Sequence, residues 1–98
     1  MSKVTKPNVK VLASGHELIT KQMAANAGEL LPKHLADVES MLFVHEGECI
    51  FKMKGEDHSL KPGDAIVVPA QTKHQIQAKT DFKAVHFMPK AIKFEFFQ

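Results

Sequence analysis

Apolar positions along this chain come in short runs, and turn residues interrupt them about every eight to ten positions, the pattern of an all-β sandwich or barrel. The first run, Lys10 to Ala13, stops at Ser14-Gly15. Residues 17 to 24 resume with mixed alternation before Asn26-Ala27-Gly28 turns the chain. Glu, Leu, Lys, Gln, Met and Ala favour helices, so a helix over 16–27 competes there with the strand that the rest of the pattern favours. Ser40 to Val44 and Cys49 to Lys54 read as strands, and a turn at Gly55-Glu56-Asp57 leads to a short run at His58 to Leu60. Lys61-Pro62-Gly63-Asp64 has proline and glycine at the central positions that a type II turn prefers. Ala65 to Val68 is then a strand ended by Pro69.

Parity assigns faces. With Lys52 and Lys54 in water, Cys49, Phe51 and Met53 point inward. His74, Ile76 and Ala78 share one face while Gln75 and Gln77 take the other, so His74 lies on the apolar side. Lys83 on the water side places Phe82, Ala84, His86 and Met88 inside. Ile92 to Phe97 alternates as a last strand, with Ile92, Phe94 and Phe96 on one side, packed on its own barrel or on a partner's. Ser40, Leu42 and Val44 fall on one face of their strand and Met41, Phe43 and His45 on the other, so apolar side chains point both ways. A barrel wall has one inner face, and the outer one calls for a cover, most simply a second copy in a two-fold homodimer.

Composition narrows the classes. The 98 residues make one domain, read as a tail over 1–8 and a single barrel over 9–98. A net charge of +2 with scattered lysines argues against a nucleic-acid partner, and the absence of Trp and Tyr leaves no ready base-stacking platform. No run approaches the roughly 20 apolar residues of a membrane helix, and the N-terminus has no signal-peptide core. The single Cys49 cannot form an internal disulfide, which fits a reducing, cytoplasmic location and a small buried thiol. Met23, Met41, Met53 and Met88 read as adaptable packing, and His16, His45 and His58 as surface residues.

Two stretches carry glycine, proline and histidine at telling intervals: Gly28, His34 and Gly47 in the first, Gly63, Pro69 and His74 in the second. In this spacing the chain resembles the cupins, a family of small double-stranded β-helix or jelly-roll barrels, over about residues 17 to 90. The resemblance implies a divalent metal, Fe, Mn, Ni or Zn, on three histidines and a glutamate. Carried over residue by residue, those positions are His34, Ala36, Ser40 and His74, so the ligand set is incomplete. Gln71 and Ala78 replace the glycine and asparagine of the second motif. A replacement ligand would have to be His86 or, if a bulge shifts it, Glu39.

These readings leave three functions open, and whether the chain is an enzyme stays undecided. In the first, the barrel binds a small molecule with a weak or absent metal, in a pocket of Leu42, Val44, Met53, Ile66, Val68 and Ile76 with His34, Ser40, His74 and His86 as polar groups. In the second, His34, His74 and a replacement ligand hold the metal of a dioxygenase or isomerase. In the third, the fold is a dimeric regulatory module without chemistry.

Overall fold

The period-two alternation becomes ten strands in the computed structural model, which describes residues 4–97. In chain order they are β1 (Asn8–Ser14), β2 (Leu18–Ala25), β3 (Lys33–Ala36), β4 (Ser40–Glu46), β5 (Cys49–Met53), β6 (Glu56–Leu60), β7 (Ala65–Val68), β8 (His74–Ala78), β9 (Phe82–Pro89) and β10 (Phe94–Phe97). They form two five-stranded sheets, ordered β1-β2-β9-β4-β7 and β10-β3-β8-β5-β6, with every ladder antiparallel. Among the described residues there is no helix, and so none long and apolar enough to cross a membrane. This is the all-β jelly-roll barrel that the run lengths predict.

The competition over 16–27 resolves as strand. Every residue of β2 pairs with β9, from Leu18 opposite Pro89 to Ala25 opposite Phe82. That continuous pairing outweighs the local helix preference of Leu, Lys, Gln, Met and Ala, a weak prior that tertiary context readily overrides. Residues 4–7 do not hang free: Thr5 donates from its amide to the Leu30 carbonyl and from its hydroxyl to Glu29, and Val4 bridges to Leu30. Met1 to Lys3, part of the expected tail, lie outside the described residues.

The inner faces follow the predicted parity. Leu42, Val44, Cys49, Phe51, Ile76, Ala78, Phe82 and Ala84 form one buried cluster between the sheets, with Met53 and Ile66 packed against it. Burying each large side chain contributes about 1.5–3 kcal/mol, so this cluster is the main source of cohesion. Two segments depart from expectation. The β5–β6 turn is Lys54-Gly55 and not Gly55 to Asp57, because both residues adopt positive φ (54° and 75°) as a two-residue type I′ hairpin requires; Glu56 and Asp57 therefore belong to β6. Ile92 lies outside the last strand, since its amide donates to the Pro89 carbonyl and closes a turn, and β10 begins only at Phe94.

The glycine and proline positions have physical reasons. Gly63 has φ +95° and the Asp64 amide donates to the Lys61 carbonyl, as a type II turn demands. Gly47 has φ +70°, and a Cβ there would overlap the Asp81 carbonyl and stand 2.8 Å from the Phe82 Cα. The β4–β5 turn is thus wedged against the start of β9. Gly55, with similar φ, has nothing within 4 Å. Gly47→Ala is therefore expected to cost about 3 kcal/mol or more, backbone strain plus a steric overlap that only main-chain movement can relieve. Gly55→Ala should cost only about 1 kcal/mol. Urea denaturation of the two variants measures this, and equal losses would contradict the wedge.

Candidate binding site between the sheets

His34 on β3 and His74 on β8 are Cα partners, the one register pair that joins these two strands. Directly opposed residues share a face, so both rings enter the interior, where they meet edge to face with centroids 4.3 Å apart. The stack continues in both directions. Phe51 lies parallel to His74 at 5.1 Å, while Phe96 and Phe94 of β10 lie 5.1 and 5.5 Å from His34. A row of aromatic rings therefore runs from the buried core to the barrel edge.

Backbone carbonyls fix the tautomers. The Nδ1–H of His34 donates to the Pro32 carbonyl (3.1 Å) and that of His74 to the Thr72 carbonyl (3.0 Å). A carbonyl can only accept, so both Nδ1 atoms carry protons and both Nε2 atoms keep their lone pairs. On β9, His86 shares a 2.8 Å hydrogen bond between Nε2 and the Ser40 hydroxyl. Burial pushes the pKa of all three rings down; His74 and His86 fall to about 4, with neighbouring positive charge adding to the effect. The three rings are therefore neutral near pH 7, each with one nitrogen that donates a hydrogen bond and one that accepts. Burial raises the Cys49 thiol to about 11, which makes it unreactive.

The donor set does not fit a metal. Ala36 offers no donor, and Ser40 turns its hydroxyl to His86. Glu39 is exposed while its neighbour Ser40 is buried, so its carboxylate lies on the far side of the wall. Among the described residues no three His, Cys, Asp or Glu side chains group so as to hold an ion, His34, His74 and His86 included, and no buried side-chain N or O lacks a partner. Two imidazoles fall short of the three protein ligands of a catalytic zinc or of the two-histidine, one-carboxylate iron site.

Beside the histidines lies a cavity of about 640 Å³. From one sheet it is lined by Val9, Lys21, Met23, His86 and Met88, from the other by Leu31, His34, Ile76, Phe94 and Phe96, with Lys6, Pro7 and Pro32 at its edges. Of the residues expected around a pocket, His34, Ile76 and His86 line it. Leu42, Val44 and Val68 are instead buried in the packed core, Ser40 stands behind His86, and Met53 and Ile66 pack against the core cluster. His74 and Met53 line a smaller cavity of about 350 Å³ at the β5–β6 hairpin, with Lys33, Lys52, Lys54 and Lys73. Parity gives inward from outward but not filled from open, which is why Met23 and Met88 read from sequence as packing and Leu31 carries no signal of a cavity. Lys21 breaks the pattern visibly, a lysine between inward Ile19 and Met23, and could have marked the cavity.

A solution signature follows. In long-range ¹H–¹⁵N spectra near neutral pH, His34 and His74 should show protonated Nδ1 and bare Nε2; the opposite tautomer in either would contradict the carbonyl contacts. Because His74 and His86 have folded pKa values below their unfolded ones, the unfolded chain takes up protons first. Their contribution is complete above the unfolded pKa, about 6.5, and is lost as pH falls toward about 4. Allowing for partial solvent contact, stability should fall by about 2 kcal/mol from about pH 7 to pH 5. Urea titrations at the two pH values check it, and unchanged stability would contradict it.

A family model described as Cupin domain matches residues 22–88. L-ectoine synthase of Saccharopolyspora erythraea is 43% identical over 44 residues, 45% of this chain and 33% of that one, so the match spans about a third of that relative's length. An uncharacterized conserved protein with a double-stranded beta-helix domain from Klebsiella pneumoniae superposes with a TM-score of 0.83 at 18% identity, over 95% of this chain and 85% of the other. Salicylate 1,2-dioxygenase from Pseudaminobacter salicylatoxidans gives a TM-score of 0.75 at 24% identity, over 82% of this chain and 25% of the enzyme. At these identities the two structures speak for the fold. The family match runs from β2 to β9 and contains both glycine-to-histidine stretches, and on that ground the chain belongs to the cupin family.

Proposed function

We propose that this cupin domain binds a small, mainly apolar molecule in the cavity between its sheets and does so without a metal. The observation that carries the reading is the cavity itself. Its volume of about 640 Å³ falls within the ~300–1,000 Å³ range of small-molecule sites, and its wall is apolar apart from a few convergent polar groups. The aromatic row at His34 and Phe96 gives a flat ring or chain a surface to lie on. The chemistry of salicylate dioxygenase or ectoine synthase is not carried over, because a shared fold does not imply a shared activity and, among the described residues, no third ligand groups with His34 and His74.

A homodimer, the partner we propose, is supported by the outer face of the first sheet. Phe87, Met41 and Val67 sit side by side across β9, β4 and β7, exposed by 39%, 39% and 50%, above the half-buried Val85 and Phe43. No described segment of the chain covers them, and a self-complementary apolar patch is the usual basis of a two-fold pair. A cytoplasmic location fits the buried free thiol of Cys49.

The binding experiment uses the neutral fluorescent probe N-phenyl-1-naphthylamine. Its emission should rise on mixing with the protein, and Ile76→Trp, which fills the cavity from β8, should abolish the rise while the fold persists by circular dichroism. An emission unchanged by the wild-type protein would sink the pocket reading. For assembly, sedimentation over a concentration series should find a dimer, and Phe87→Glu should shift it to monomer; a wild-type monomer at every concentration would refute the dimer.

A further inference from the structure

We infer that the ligand of this cavity is an anion: an apolar molecule ending in a carboxylate, bound with its charge beside the ammonium of Lys21. The inference rests on the pocket reading above and adds the class of ligand.

Lys21 is placed where a lysine has little reason to be. It is the register partner of His86, the two occupy the same inner face, and its neighbours on that face of β2 are Ile19 and Met23. Its side chain is half-buried and lines the cavity together with Met23, Met88 and Phe94. An ammonium held against an apolar wall gains from a counterion, the more so the less water reaches it. Among the described residues, no carboxylate lies within salt-bridge distance of Lys21; the ion pairs that form involve Glu46, Glu48 and Glu56. Among the described residues, no Asp or Glu lines the cavity.

The charge count of the chamber then follows. His34 and His86 are neutral near pH 7, since burial holds their pKa values down, and Lys21 itself contributes to the depression at His86. Among the described residues, the charged groups on the wall are Lys21 and, at the exposed edge, Lys6. One half-buried ammonium matches a monoanion. A phosphate dianion would leave charge uncompensated in an apolar space, and a lone lysine lacks the several converging donors that such a group needs. The smaller cavity differs in kind, because its four lysines share the wall with the carboxylates of Glu56 and Asp57 and no single ammonium stands in an apolar surround.

The carboxylate would thus take the place of the missing internal counterion, with the neutral His86 imidazole as a second hydrogen-bonding group. The apolar body would extend toward Leu31, Ile76 and the rings of Phe94 and Phe96.

Displacement of N-phenyl-1-naphthylamine by octanoate and by 1-octanol at neutral pH and low salt tests the idea. Octanoate should bind about tenfold more tightly than the alcohol of the same length, as expected for one charge-assisted contact away from bulk water. Lys21→Met should reduce that ratio to about one, and Lys21→Arg should retain a preference for the acid. Equal displacement by octanoate and 1-octanol in the wild-type protein would overturn the anion assignment and leave the pocket reading standing. Failure of the probe and both competitors to bind would overturn both. A preference that survives Lys21→Met would also overturn the assignment, since the charge would then be read elsewhere.

Discussion

The structure depends on the unequal way two antiparallel sheets fill the space between them. At one end, Leu42 and Val44 of β4, Phe51 of β5 and Phe82 of β9 interdigitate with almost no exposed surface, and this is where cohesion resides. At the other, bounded by the edge strands β1 and β10, the side chains stop short and leave about 640 Å³ open. The aromatic row from Phe51 through His74 and His34 to Phe96 marks the transition. His74 belongs to the packed end and His34 to the open one, so the pair joins core to cavity and does not form a closed metal cage.

Electrostatics follows from that arrangement. Removing three imidazoles from water favours their neutral forms, and carbonyl partners at Pro32 and Thr72 hold two of them in one tautomer. Where the cupin pattern has a glutamate, Ser40 offers a hydroxyl, which satisfies His86 without adding charge. The replacement is self-consistent: a neutral hydroxyl beside a neutral imidazole is a stable buried pair, the serine oxygen is engaged with His86, and the alanine at position 36 offers no donor atom. The cupin fold is thus retained here with an alanine and a serine at positions 36 and 40.

The fold was legible because short alternating runs, Pro62-Gly63 and the glycines at 28 and 47 each have one backbone meaning. The convergence of His34 and His74 was legible from the motif spacing, and the parity of His86 from Lys83. The cavity was not. Period-two alternation tells which side chains face inward, but whether inward residues touch depends on the separation of the sheets, which no local pattern encodes. Leu42 and Val68 face the same interior as Met23 and Leu31; the first two are packed solid while the others border open space. The contribution of residues 6–9 was hidden for a related reason, since Lys6 and Pro7 precede the first strand in a segment held by the hydrogen bonds of Thr5 to Leu30 and Glu29, and Val9 takes its place opposite Met23 in the β1–β2 ladder.

The central claim is that an apolar guest sits between the sheets at their open end, and the five methionines offer a direct view of it. Met23 and Met88 line the large cavity, Met53 lines the small one, and Met41 lies on the outer face. In ¹³C-methyl-methionine spectra recorded during a titration with 1-octanol, the account predicts saturable shifts of the Met23 and Met88 methyls while Met41 and Met53 stay in place. Saturable shifts confined to Met41 or Met53, or none at all, would contradict it.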